Sequence, residues 1–245
     1  MKTILIIGAY SGIAVEFAKE AIQKGYSLIL SGRDMDKLEI SASDISIRTK
    51  TEKPSIIYFD ALKTETHNNF IKEVLAISEL HGVFIASGVM YDQSDCEKNF
   101  DLCKSTIESN YLGLVSIINL LADYFETKKN GFISCITSIA GDRGRLSNYI
   151  YGSSKAALSV YLEGLRGRLF ESNVLVQTIK PGPIDTEMTK GLSKLPLLAS
   201  PEKVACDILK GIEKNKEVVY TPGIWRYIMA IICIIPVKIY KRLKL

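Results

Sequence analysis

Tyr151 and Lys155 stand four residues apart at the start of a helical pattern, so their side chains share one face of that helix. A phenol beside an ammonium can serve as a general acid/base, because the cation lowers the phenol's pKa from about 10 toward working pH. Each unit of that shift corresponds to roughly 1.4 kcal/mol. The spacing alone is weak, since Tyr124 with Lys128 and Tyr240 with Lys244 repeat the Y-x-x-x-K pattern. The discriminator lies thirteen residues upstream, where Ser138, closing an apolar run of strand length, precedes Tyr151. The matching positions for the other two pairs are Tyr111 and Tyr227. Only Tyr151 has a serine partner.

A second group lies near the start of the chain. Gly8-Ala9-Tyr10-Ser11-Gly12-Ile13-Ala14 follows an apolar strand pattern and opens a helical one. Glycines at such a turn let the backbone approach a pyrophosphate, whose charge is favoured by the free N–H groups of a helix start. Gly8, Ser11, Gly12 and Ile13 are the candidate cradle. The next strand pattern ends Leu30-Ser31-Gly32-Arg33, with no carboxylate to hold adenosine ribose hydroxyls. Arg33 suits a ribose phosphate instead, favouring NADPH over NADH, although a solvated surface role fits it as well.

These groups must be carried by elements that bring them together. Apolar, largely β-branched runs recur at Thr3–Ile7, Ser27–Leu30, Ser55–Phe59, Val83–Ala86, Phe132–Ile136, Leu175–Ile179 and Val218–Tyr220, with room for helices between them. Seven such runs predict an α/β fold with a doubly wound parallel sheet covered on both faces. The length of 245 residues, with 47% hydrophobic and 24% charged, suits one domain. We place it at residues 1–223, followed by a C-terminal segment, 224–245. The stretch Pro183–Pro201 reads as a lid, greasy with Met188, Leu192, Leu195, Leu197 and Leu198. That composition suits a lipid-bearing substrate or ordinary lid packing. Arg143 and Arg145, between Ser138 and Tyr151, are placed to grip a substrate phosphate; a solvated loop pair fits equally.

Composition removes several classes of function. Five cysteines (Cys96, Cys103, Cys135, Cys206, Cys233) without C-x-x-C spacing, and two histidines, His67 and His81, support neither a disulfide framework nor a metal site. With no cleavage signature at Met1-Lys2, a reducing cytoplasmic setting is expected. His67 reads as an exposed helix residue. The net charge is +4, but Arg226, Lys238, Lys241, Arg242 and Lys244 fall in residues 218–245 without one acid, leaving 26 cations against 27 acids, −1, in the rest. That disfavours a nucleic-acid partner and assigns the basic excess to the tail.

The tail's apolar run, Ile224 to Val237, is too short for a bilayer core of about 30 Å. It suits the lipid interface, with Trp225, Tyr227 and Tyr240 at headgroup depth and the cations drawn to anionic lipid. Burial in an oligomer interface is the other reading.

The residues in combination resemble the short-chain dehydrogenase/reductase family. Gly8-x-x-x-Gly12-Ile13-Ala14, Asp60, Asn110, Ser138-Ile139-Ala140-Gly141, Tyr151-x-x-x-Lys155 and Pro181-Gly182 follow the family's order. The resemblance implies a Rossmann-type fold and a homo-oligomer. Ser138 would polarise a substrate carbonyl, Tyr151 act as general acid/base, Lys155 tune Tyr151 and bind the nicotinamide ribose, and Asn110 support a proton relay. Asp60 would contact adenine and Thr186 the nicotinamide amide, with Ser87, Gly88, Pro181, Gly182 and Ile184 also against the cofactor. Two departures are Ala14, where the family has a third glycine, and Ile85-Ala86-Ser87-Gly88, where it has Asn-Asn-Ala-Gly.

A closer resemblance is to the decaprenylphosphoryl-2-keto-pentose reductase subgroup. It rests on Phe59-Asp60-Ala61-Leu62 with His67, Gly141 through Tyr149, Tyr151-Gly152-Ser153-Ser154-Lys155-Ala156, and an ending from Val219-Tyr220-Thr221-Pro222 to Arg242-Leu243. It implies reduction of a polyprenyl-phosphate-linked keto-sugar for cell-envelope synthesis, beside a flavin oxidase partner, at the inner face of the membrane. The alternatives are a soluble reductase of another small ketone or acyl-carrier substrate, and a non-catalytic dinucleotide-fold scaffold.

Overall fold

A computed structural model describes residues 2–187, 189 and 196–243. Seven strands form one parallel sheet: β1 (Lys2–Ile7), β2 (Tyr26–Gly32), β3 (Ser55–Tyr58), β4 (Leu80–Ile85), β5 (Gly131–Ile136), β6 (Val174–Pro181) and β7 (Val218–Thr221). Their order is β3-β2-β1-β4-β5-β6-β7. The helices between them are α1 (Gly12–Gln23), α2 (Met35–Thr49), α3 (His67–Ile77), α4 (Gln93–Lys98), α5 (Phe100–Ile107), α6 (Gly113–Lys128), α7 (Tyr149–Leu169) and α8 (Pro201–Glu213). After β7 come α9 (Trp225–Ile234) and α10 (Val237–Tyr240).

The uniformly apolar strands are explained by two covered faces. Ile4, Ile6, Leu28, Leu30 and Phe84 pack with Phe17 of α1, Leu38 of α2 and Ile208 of α8. The alternate residues Leu5, Ile7, Ile29, Val83 and Ile85 pack with Phe70 of α3, Ile117 of α6 and Leu162 of α7. Polar residues set the helix starts: Ser11 Oγ accepts from the Ala14 amide at 3.3 Å, and Asp34 Oδ1 from the Lys37 amide at 3.0 Å. All seven expected strands form. β4 starts earlier than its apolar run, at Leu80, because the ladder to β1 continues through Gly82 after a register shift at Thr3/Ile4. The sheet reverses direction of growth between β1 and β4, and the crevice beyond the carboxyl ends of such strands is where doubly wound folds place ligands.

Candidate active site

A cleft of about 1050 Å³ opens at that crevice. Gly8, Ser11, Gly12, Ile13, Arg33 and Asp60 line it on the side of β1–β3. Ser138, Tyr151, Lys155, Pro181, Gly182, Ile184 and Thr186 line it on the side of β5 and β6, with Ser87 and Gly88 from the end of β4 between them. Gly8 holds φ +82°, and a Cβ there would lie 2.8 Å from the Ser87 amide nitrogen, so only glycine allows the two strand ends to meet this closely. In the first turn of α1 the Ala14 amide is capped by Ser11, which leaves the Gly12 and Ile13 amides, without partners four residues back, to face an anion. A floor of glycine backbone, a helix start and an elongated cleft fit a nicotinamide dinucleotide.

At the end of β2, Arg33 is exposed and lines the cleft, and so does Lys37, one turn into α2. Lys37 lies 5.8 Å from the centroid of the Tyr10 ring. The adjacent acid is committed elsewhere, since Asp34 caps α2 and lies 3.7 Å from Lys37 Nζ. Lys37 went unnoticed in the sequence, although it stands one helical turn beyond Arg33.

Asp60 is held at the mouth of β3 by its carboxylate, which accepts from the Leu62 amide at 3.0 Å. Its carbonyl oxygen lies 3.1 Å from His67 Nε2. A carbonyl can only accept, so Nε2 carries the hydrogen and Nδ1 receives the Ser116 hydroxyl at 2.9 Å. The expectation that His67 is exposed is therefore wrong: it is fully buried and stacked on Phe59 at 4.9 Å. The tertiary contact beneath Asp60, invisible to helical periodicity, draws it in.

On the opposite side, Ser138 Oγ accepts from the Ala140 amide at 3.1 Å, and the Ser138 side chain stands near enough to the Tyr151 phenol to favour its ionised form. Burial pushes the Tyr151 phenol up to about 12, against a smaller downward pull from Ser138. Lys155 is buried, donates to the Ile136 carbonyl at 3.2 Å and lies 5.9 Å from the Tyr151 ring centroid. Desolvation holds its ammonium below its usual range. The expected lowering of Tyr151 by Lys155 does not arise here: burial raises the phenol and only Ser138 opposes it, while the Lys155 ammonium is itself disfavoured by loss of water. A phenol with a raised pKa remains a proton donor at neutral pH, which suits reduction. For the ligand-free geometry, the reductive rate should stay level in this group's titration from about pH 6 to 9. The reverse oxidation, needing the phenolate, should climb about tenfold per pH unit. Stopped-flow rates in both directions across that range provide the check; equal slopes would contradict the assignment.

Asn110 is fully buried in a π turn, Glu108–Leu112, between α5 and α6, and does not line the cleft. Its Oδ1 accepts from the Val89 amide at 2.7 Å, and its Nδ2 donates to the Val89 carbonyl at 2.8 Å and Ser154 Oγ at 3.0 Å. Ser154 in turn donates to the Tyr151 carbonyl at 2.7 Å. Through these bonds Asn110 ties the loop after β4 to the turn of α7 carrying Tyr151.

The two arginines between Ser138 and Tyr151 separate. Arg145 is half-buried in the cleft lining and, among the described residues, meets no carboxylate; its guanidinium approaches Met229 Sδ at 3.4 Å. Burial lowers its pKa from the usual arginine range. Arg143 turns away, contrary to expectation. It donates to the Cys233 and Ile235 carbonyls at 2.8 and 3.0 Å and lies 4.4 Å from the Tyr240 ring centroid. The carbonyls left unpaired at the end of α9 attract it. Trp225, expected at a lipid interface, is buried instead with Ile139 and Met229, against Gly182, where any Cβ would collide with its indole. Ile184, Thr186, Glu187 and Thr189 of the lid line the cleft, whereas Leu197 and Leu198 are exposed outside it. Met188, Leu192 and Leu195 fall outside the described residues.

A doubly wound sheet with a glycine cradle at the switch point, and a serine, tyrosine and lysine gathered across one cleft from it, defines a nicotinamide-dependent oxidoreductase. Residues 2–195 match the short chain dehydrogenase family, and the chain belongs to it. It is 28% identical over 244 residues to an uncharacterized oxidoreductase of Streptomyces coelicolor, covering 99% of this chain and 96% of that one. It is 27% identical over 245 residues to one of Mycobacterium tuberculosis, covering 98% and 96%. Among solved structures, it resembles a short-chain dehydrogenase from Sphingobium yanoikuyae in complex with NADPH, with TM-score 0.82, 21% identity and coverage of 91% and 88%. The actinorhodin polyketide ketoreductase with NADPH superposes with TM-score 0.80 at 16% identity, covering 89% and 95%. Both likenesses are of fold.

Proposed function

We propose that this protein is an NADPH-dependent ketoreductase acting on a keto-sugar carried by a polyprenyl phosphate, a 2-keto-pentose by its subgroup resemblance, in cell-envelope precursor synthesis. The observation that carries the reading is the cleft's polarity of function: Arg33 and Lys37 where a ribose phosphate would lie, a protonated Tyr151 beside Ser138, and, lining the same cleft, Arg145, which among the described residues meets no carboxylate. When bound, the reduced nicotinamide supplies a hydride to the keto carbon. Ser138 Oγ would hold the carbonyl oxygen while Tyr151 Oη transfers its proton to it, giving the alcohol. Lys155 would meet the ribose hydroxyls, and Arg145 the substrate's phosphate. A flavin oxidase is the matching source of the ketone.

The test is NADPH oxidation on a lipid-linked 2-keto-pentose prepared with such an oxidase and dispersed in detergent. Turnover on it well above that on simple ketones and β-ketoacyl thioesters supports the reading. Preference for the thioester would assign the enzyme to acyl-carrier chemistry instead.

A further inference from the structure

Helix α9 is apolar on both sides. Trp225 and Met229 face inward, whereas Ile224, Tyr227, Ile231 and Ile234, spaced to form one stripe, are 49%, 69%, 63% and 79% exposed. Val237, Ile239 and Leu243 extend the exposed apolar surface past Pro236. A helix with this pattern normally has a partner on its outer side. Around the stripe stand Arg226, Lys238, Lys241 and Arg242, all exposed and, among the described residues, paired with no acid.

Charge decides between partners. A second copy docked through this face by a two-fold axis would set four cations against four, with no acid in residues 224–243 to offset them. An anionic lipid surface meets both requirements, receiving the isoleucines at the acyl boundary and the cations at its headgroups. No described helix is long and apolar enough to cross a membrane, so the segment would lie along the surface.

The same segment grips the loop between Ser138 and Tyr151. Arg143 is bonded to the carbonyls closing α9, Tyr240 Oη donates to the Gly144 carbonyl at 2.8 Å, and Met229 Sδ meets Arg145 in the cleft wall. We infer that α9 and α10 dock the protein on anionic lipid and, through these bonds, hold the Arg145 side of the cleft at the lipid boundary, so that membrane contact and access of a lipid-anchored anionic substrate are one event. This rests on the lipid-linked reading above for its second half only; docking itself does not.

The experiment uses the full chain and the double variant Ile231→Asp with Ile234→Asp, whose side chains are exposed and outside the cleft. Flotation with phosphatidylglycerol vesicles should recover the wild type, weaken with salt, and fall at least about tenfold with phosphatidylcholine vesicles or in the variant. On lipid-linked ketose embedded in phosphatidylglycerol vesicles, the variant should show KM raised at least about tenfold, while its rates in detergent and on a water-soluble ketone stay at wild-type level with an unchanged Tm. No flotation of the wild type, or equal flotation of the variant, overturns docking. Lost flotation with unchanged KM in vesicles overturns the coupling. A dimer in light scattering that the variant converts to monomer assigns the face to a second copy. Inactivity on the detergent-dispersed ketose would instead defeat the proposed substrate and leave the flotation result standing.

Discussion

Replacing Tyr151 by phenylalanine should reduce turnover about a thousandfold or more while leaving the NADPH dissociation constant nearly unchanged. The change removes one proton donor and no binding surface, and general acid catalysis contributes typically 10²–10⁴-fold. Lys155→Ala should weaken cofactor binding as well as turnover, because the buried ammonium faces both the Tyr151 ring and the cleft. The chain supplies its own controls. Tyr124 shares the short motif, but its hydroxyl accepts from the Leu80 amide at 3.0 Å and lies outside the cleft lining. Tyr240 bonds Gly144 on the outer loop. Tyr124→Phe should leave turnover on a water-soluble ketone within about twofold of wild type. If it lost activity as fully as Tyr151→Phe while still folded, the assignment of the acid would be wrong. Nicotinamide fluorescence titration and steady-state rates on that ketone read both quantities.

Arg33→Ala should lose roughly ten to a hundredfold in NADPH affinity and little in NADH affinity, since one charge-assisted phosphate contact is worth roughly 1.5–3 kcal/mol. Adding Lys37→Ala should carry the loss further, because the second cation lines the same end of the cleft. The acid that follows, Asp34, does not take over for NADH, being occupied with the first turn of α2. Equal dissociation constants of the wild type for the two nucleotides would overturn the preference. So would a double variant that still discriminates between them as the wild type does. High salt should weaken the NADPH preference, as both cations stand in solvent-accessible positions.

The seven strands were legible because the central ones are covered on both faces, so their apolar runs show regardless of what they pack against, and the partly exposed edge strands β3 and β7 keep short runs of the same kind. Ser138, Tyr151 and Lys155 were legible for a related reason: their roles depend on a strand end and one helical turn, both local. The Gly8 turn was likewise readable, and the structure adds what it faces, the Ser87 amide across the sheet's switch point. Resemblance suggested a relay through Asn110; that its side chain bonds Val89 and Ser154 is a matter of which loops converge on it. His67 is buried because the β3 turn folds over it, and nothing in a helical repeat announces that contact. Arg143 and Arg145 are equivalent as sequence, separated by one glycine. Their division between the tail and the cleft follows from where α9 ends, a long-range contact spanning about ninety residues. The Tyr151 pKa was misjudged for the same physical reason: charge proximity can be read from spacing, whereas desolvation depends on everything packed around the pair. The sequence alone therefore determined the elements and the reacting groups, through short-range spacing and burial pattern. Strand order, the second cation at the ribose end and the bond between tail and substrate loop were decided only when distant segments met.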